Sequence, residues 1–209
     1  MNAAARGWQG DCGSAMAETN RRAKRLGVYP GSFNPPTIGH LAIAAAARDQ
    51  RELERVDLAV SRVALGKEGT TVPAFEDRIA VLQASVADID GLEVVVTDRQ
   101  LLVDIARGYD VVVMGADKWA QVQDPSFYGN SADARDRAVS ALLGLDLAIA
   151  PRPPFEAPPG AALDAGPGVA AVSASGARGG RLEWMTPQAR AFDDATGAWS
   201  DPDRYKRRR

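Results

Sequence analysis

The stretch that decides the fold runs Leu26-Gly27-Val28-Tyr29-Pro30-Gly31-Ser32-Phe33-Asn34-Pro35-Pro36-Thr37-Ile38-Gly39-His40, and a helix-like run follows directly. Leu26 to Tyr29 is a short apolar run that reads as a strand, and residues 38 to 51 have helical spacing with Ile38, Leu41, Ala42 and Ala45 on one face. Between them a glycine allows a close backbone turn, and Thr37 and His40 stand three residues apart where the helix begins. A strand, a glycine-containing turn and the electropositive start of a helix make a phosphate-handling site. His40 is the one histidine of the chain, so any imidazole chemistry rests on it.

Outward from this unit, short β-branched runs alternate with longer helical stretches. Val56 to Val63 reads as a strand with Asp57 near its start, Phe75 to Val86 as a helix and Leu92 to Val96 as a strand. Gln100 to Arg107 reads as a short helix and Asp110 to Met114 as a strand apolar enough for the sheet centre. A polar loop, a helix over Ala132 to Leu143 and a strand over Leu145 to Ala150 follow. This alternation predicts an α/β fold, a Rossmann-like doubly wound parallel sheet in a single domain. Residues 151 to 168 are rich in proline and glycine and read as loop, after which Val169 to Val172 is expected to rejoin the sheet and Ser173 to Arg178 to open a helical turn.

With 209 residues and 45% hydrophobic content, the chain can bury one good core rather than two. Residues 1–23 read as a disordered leader, 24–198 as the domain and 199–209 as a solvated basic tail ending in Arg204-Tyr205-Lys206-Arg207-Arg208-Arg209. A net charge of −2 argues against nucleic acid or an anionic membrane surface as partner. Cys12 is the lone cysteine, so no internal disulfide forms, and with one histidine no protein-built zinc site is expected. The longest apolar stretch, Leu41 to Ala47, is too short to cross a bilayer, and the first 24 residues lack the apolar core of a secretory signal. The expected location is the cytoplasm.

In an open parallel sheet, ligands bind outside the carboxyl ends of the strands. Three polar motifs are expected there: Gly31 to His40, Gly115-Ala116-Asp117-Lys118-Trp119, and Ser173-Ala174-Ser175-Gly176-Ala177-Arg178. Together they resemble the nucleotidyltransferase superfamily of the HxGH type, which includes the mononucleotide and pantetheine-phosphate adenylyltransferases and several cytidylyltransferases. Thr37 stands where many members have histidine, as in the pantetheine-phosphate branch. Ser173 to Arg178 is similar to the superfamily's Ser-Ser-Thr-x-x-Arg element, and Met185-Thr186-Pro187 to the Leu-Val-Pro that opens its last helix. The resemblance spans residues 25–198.

The resemblance implies in-line attack of a substrate phosphate on the α-phosphorus of ATP or CTP, with release of pyrophosphate and no covalent enzyme intermediate. Such catalysis is positioning and charge neutralisation. His40 is then expected to donate to the transferring phosphate, and as a cation to stabilise developing charge. Thr37 would offer a hydroxyl, and Gly31, Ser32 and Phe33 backbone N–H groups, with Gly39 allowing close approach. Ser173 and Ser175 would bind the outer phosphates, with Arg178 as a clamp. Lys67 in the loop Gly66-Lys67-Glu68-Gly69 would touch phosphate, Gly115 and Asp117 would contact the nucleotide, and Trp119 would stack on a planar substrate group. Read from residue type alone, Thr37 and Ser173 are also ordinary helix caps and Trp119 an ordinary core aromatic. Mg²⁺ is expected as a companion of the triphosphate, without a dedicated protein cage.

The acceptor is read two ways. Gly115 to Trp119 resembles the pyridine-mononucleotide branch, which makes nicotinamide or nicotinate mononucleotide the expected phosphate-bearing substrate. Thr37 and Leu101-Leu102-Val103-Asp104-Ile105-Ala106 resemble the pantetheine-phosphate branch instead. A CTP-dependent enzyme and a nucleotide-binding protein without turnover remain alternatives. A homo-oligomer is compatible with the sequence, which does not specify one.

Overall fold

The computed structural model describes residues 24–63 and 72–208. Five parallel strands form one sheet: β1 (Leu26–Pro30), β2 (Arg55–Ser61), β3 (Leu92–Thr97), β4 (Val111–Gly115) and β5 (Asp146–Ala150), in the order β3-β2-β1-β4-β5. The chain builds outward from β1 to β3, then returns to the other side of β1 to place β4. The order therefore reverses between β1 and β4, and a crevice opens at their carboxyl ends. The helices are α1 (Ile38–Gln50), α2 (Phe75–Val86), α3 (Leu102–Ile105), α4 (Ala116–Val122), α5 (Ala132–Leu143), α6 (Ala174–Arg178), α7 (Pro187–Thr196) and α8 (Pro202–Arg207). No helix among the described residues is long and apolar enough to cross a membrane.

Both faces of the sheet are covered, which is why its strands are continuously apolar rather than alternating. On one face Ile43, Ala44 and Ala47 of α1 pack with Leu82 and Val86 of α2 against Val56, Leu58 and Val113. On the other, Ile105, Trp119 and Leu142 pack against Val28, Val112 and Ile149. A third cluster, Val81, Met185, Ala189, Trp199 and Tyr205, joins α2 to the carboxyl-terminal segment.

Several elements differ from the sequence reading. The buried face of α1 is Gly39, Ile43, Ala44 and Ala47, and Ile38, expected inside, is 45% exposed. An alanine-rich helix is apolar on every side, so spacing does not fix its phase. β1, not β4, is the central strand. The polar loop expected after β4 is instead α4, starting at once at Ala116. Val169 to Val172 does not rejoin the sheet: Val169–Ala171 is a 3₁₀ turn entered through Gly168 in the left-handed region. The segment expected as a tail from residue 199 carries α8, with Trp199 and Tyr205 buried. A charge run with one well-placed tyrosine folds back because that ring finds a pocket. The expected leader, Cys12 and Lys67 all lie outside the described residues.

Candidate active site

A cavity of about 620 Å³ occupies the crevice at the carboxyl ends of β1 and β4. The three polar motifs meet there: Gly31, Ser32, Phe33 and His40 from the first, Gly115 and Asp117 from the second, Ser173, Ser175 and Arg178 from the third.

The first motif is built around a reciprocal helix cap. Thr37 is the N-cap of α1, and its hydroxyl accepts the backbone N–H of His40 at 3.3 Å. His40 Nδ1 in turn accepts the backbone N–H of Thr37 at 3.1 Å and lies 2.8 Å from the Thr37 hydroxyl. A histidine here completes the capping box that Glu or Gln more often closes. With Nδ1 accepting from Thr37, Nε2 is the ring nitrogen placed to donate an N–H. The cationic form expected from the sequence would set an N–H against the Thr37 N–H. The geometry makes His40 a donor held in one orientation. The ring is held further by edge contacts with Phe33 at 5.0 Å and Tyr29 at 6.2 Å between centroids.

Thr37 itself is 1% exposed, spends its hydroxyl on His40 and does not line the cavity. The close approach that Gly39 permits is to protein: a Cβ there would stand 3.0 Å from Val172. The Gly31 amide continues the sheet by donating to the Ala59 carbonyl at 3.0 Å, so of the three expected backbone donors this one is committed to the fold. Phe33 has φ +42°, an uncommon conformation for a bulky residue, fixed by burial of its ring against Tyr29.

Asp117 lies in the first turn of α4, and its carboxylate reaches Arg152 at 3.8 Å. Trp119 is packed in the apolar layer at 7% exposure and does not line the cavity, so it is no candidate for stacking on a substrate. Ser173 is the N-cap of α6: its hydroxyl accepts the Gly176 N–H at 3.0 Å and lies 3.2 Å from the Ser175 hydroxyl. Arg178, at the end of that turn, donates to the backbone carbonyl of Asn34, joining the third motif to the first.

Arg152 carries no sequence signal of a site role, standing among prolines just past β5. It lines the cavity, and its Nη1 donates to the carbonyls of Ala170 and Val172 at 3.1 and 3.0 Å, which fixes the 3₁₀ turn beside α1. Tyr29 forms part of the cavity floor. Burial holds its phenol well above the usual range, with Arg152 opposing and Asp117 reinforcing the shift. Lys118 is the other missed cation: partial loss of water lowers its ammonium from the usual range, opposed by Asp117, and its Nζ donates to Gln121 at 3.0 Å. Exposed Phe127 and Phe155 form part of the cavity wall. Among the described residues Asp117 is the one carboxylate that lines the cavity.

Residues 28–155 match the family model described as Cytidylyltransferase-like. The chain is 32% identical over 130 residues to the phosphopantetheine adenylyltransferase of Rhizorhabdus wittichii, covering 61% of this chain and 75% of that one. It is 40% identical over 97 residues to the enzyme of that name from Paracoccus denitrificans, covering 44% of this chain and 56% of its relative. In fold it is similar to the nicotinic acid mononucleotide adenylyltransferase of Plasmodium falciparum complexed with NaAD, with a TM-score of 0.60 at 12% identity, over 82% of this chain and 95% of that one.

Proposed function

The chain belongs to the cytidylyltransferase-like family and is an enzyme of the nucleotidyltransferase kind, and from that premise we propose that it transfers AMP from ATP to the phosphate of a small acceptor. The observation that carries the proposal is the meeting of His40, Asp117 and the Ser173 to Arg178 turn around one cavity at the sheet's reversal point. An acceptor phosphate oxygen attacks the α-phosphorus in line. The bond to the bridging oxygen breaks, and pyrophosphate leaves with the electron pair.

His40 Nε2–H donates to a non-bridging α-phosphate oxygen, where negative charge gathers in the transition state. Its capping box holds the donor in place, so little reorganisation accompanies reaction. Thr37 acts through His40. Ser32 and Phe33 offer backbone donors, and Ser173, Ser175 and Arg178 hold the outer phosphates, the guanidinium by charge-assisted hydrogen bonds. Gly115 and Asp117 bound the nucleotide's other end. The Lys67 loop supplies a further cation in this scheme. Mg²⁺ screens phosphate charge when bound, and with Asp117 as the described carboxylate at hand its shell would be mostly phosphate and water oxygens.

We favour 4′-phosphopantetheine as the acceptor. The relatives at 32% and 40% identity carry that name, Thr37 and the segment Leu101 to Ala106 resemble that branch, and Trp119 is unavailable for stacking on a nicotinamide. The mononucleotide reading keeps one observation, Asp117 at the head of α4 beside the nucleotide crevice. Pyrophosphate release is to be measured for ATP and CTP against phosphopantetheine, nicotinate mononucleotide and nicotinamide mononucleotide. Turnover with ATP and phosphopantetheine alone is the expected result. Turnover with a mononucleotide alone overturns the acceptor assignment, and none with any pair overturns the reaction.

A further inference from the structure

Two groups from the end of the chain converge on one residue of the first motif. The backbone carbonyl of Asn34 accepts from Arg178, and its side-chain Oδ1 accepts the indole Nε1–H of Trp199 at 2.5 Å, from 165 residues away in sequence. Asn34 and Trp199 are both buried, so this bond is shielded from water. We propose that Trp199 is a positioning residue, which holds the Ser32 to Asn34 turn and, through it, the Arg178 guanidinium in register with His40.

The indole is itself aimed by a built turn. Asp193 of α7 is 1% exposed, and its Oδ1 accepts the backbone N–H groups of Trp199 at 2.7 Å and Ser200 at 3.0 Å. Gly197, at φ +77°, ends α7 and doubles the chain back, so that Trp199 packs edge-on against Phe192 at 5.9 Å. Further contacts seat the same stretch: the Thr186 N–H donates to the Pro36 carbonyl at 3.1 Å, and Thr37 pairs with Met185 as an antiparallel bridge. These fix residues 36 and 37. Asn34 is the link between that anchored region and the strained Phe33, and Trp199 is what grips its side chain.

Removing the donor while keeping an aromatic ring isolates this role, which builds on the adenylyl-transfer reading above. In Trp199→Phe the Asn34 Oδ1 loses its buried partner, and the turn relaxes. ATP affinity falls about tenfold, as expected for one buried hydrogen bond, and amide hydrogen exchange over residues 31–34 accelerates. The effect on turnover enters through KM for ATP more than through kcat. Phe192→Leu is the control: it loosens the same cluster and lowers Tm, yet leaves exchange at 31–34 and ATP affinity as in wild type. The proposal is overturned if Trp199→Phe leaves both readouts unchanged, or if Phe192→Leu shifts them equally. Failure of the wild type to release pyrophosphate would sink the reaction instead, and the exchange data would still decide the role of Trp199.

Discussion

The two ends of the sheet use similar side chains to opposite purposes. At the amino end, Asp57 is 2% exposed and pairs with Arg55 at 2.7 Å, while the Tyr109 hydroxyl donates to its other oxygen at 2.7 Å. Nearby Arg25 pairs with Asp146 at 3.0 Å, and Asp110 accepts the Leu26 N–H at 2.8 Å. There Arg25, Arg55, Asp57 and Asp146 are each paired with an opposite charge of the protein, and the cluster turns in on itself. At the carboxyl end His40, Asp117, Ser173, Ser175 and Arg178 face a shared cavity, and bonds to Thr37, Arg152, Asn34 and one another orient them around its space rather than fill it. Polar groups that satisfy one another hold a fold together; polar groups held around a void bind something.

The sharpest way to break this contrast is to remove one group from each end. His40→Ala should lower the rate of pyrophosphate release by at least about a hundredfold, the loss seen when a transition-state donor is deleted. Since each tenfold is about 1.4 kcal/mol, that is about 3 kcal/mol of transition-state stabilisation. The fold survives, because the Thr37 hydroxyl still caps α1. Unchanged turnover in this variant would refute the role given to His40. Asp57→Ala at the other end should behave in reverse, lowering unfolding free energy by about 2 kcal/mol because Arg55 and Tyr109 lose their shared partner. Its kcat/KM per folded molecule should match wild type, and a selective loss of activity would show that the two ends are not separable.

Arg178→Met sits between these extremes. It keeps the aliphatic stem, removes the charge and frees the Asn34 carbonyl, and should raise KM for ATP about tenfold to thirtyfold. A change confined to kcat would place the guanidinium on the transferring phosphate rather than the outer ones.

The first five strands and the longer helices were easier to read from sequence than the walls of the cavity. Phe75 to Val86 and Ala132 to Leu143 form helices to the residue, because apolar spacing marks both, Pro73 stands just ahead of the first, and Ser131 and Gly144 flank the second. The three motifs were legible as sequence strings, and strand order brings them together. What escaped reading depends on contacts distant along the chain. Gly39 makes its close approach to Val172, and Val169 to Val172, strand-like in composition, is held as a 3₁₀ turn by Arg152 on its carbonyls. Trp199 and Tyr205 sit in a polar, basic stretch whose composition says solvent, and only the partners Asn34 and Asp77 say otherwise. The reciprocal cap of His40 escaped for a subtler reason: Thr37 donates to it from within the same turn, which residue type does not announce.

The smallest effect tests the amino-end cluster by pH. Burial first, then the hydrogen bond and charge of Asp57, raises the Tyr109 phenol above its usual range, with Arg55 and Arg99 opposing. The native state therefore holds this proton more tightly than the unfolded chain does. Its contribution is complete below the ordinary phenol value of about 10 and fades as pH climbs beyond it, because the unfolded phenol ionises first. Tyr109→Phe should cost about 1 kcal/mol at neutral pH, the worth of one hydrogen bond. It should also flatten the decline of stability in alkali, while the Tyr29 contribution stays common to both proteins. Urea melts of wild type and variant at neutral and alkaline pH give the comparison directly. A stability difference that stays constant into alkali would mean that Tyr109 is not coupled to Asp57, and the closed cluster would lose one of its members.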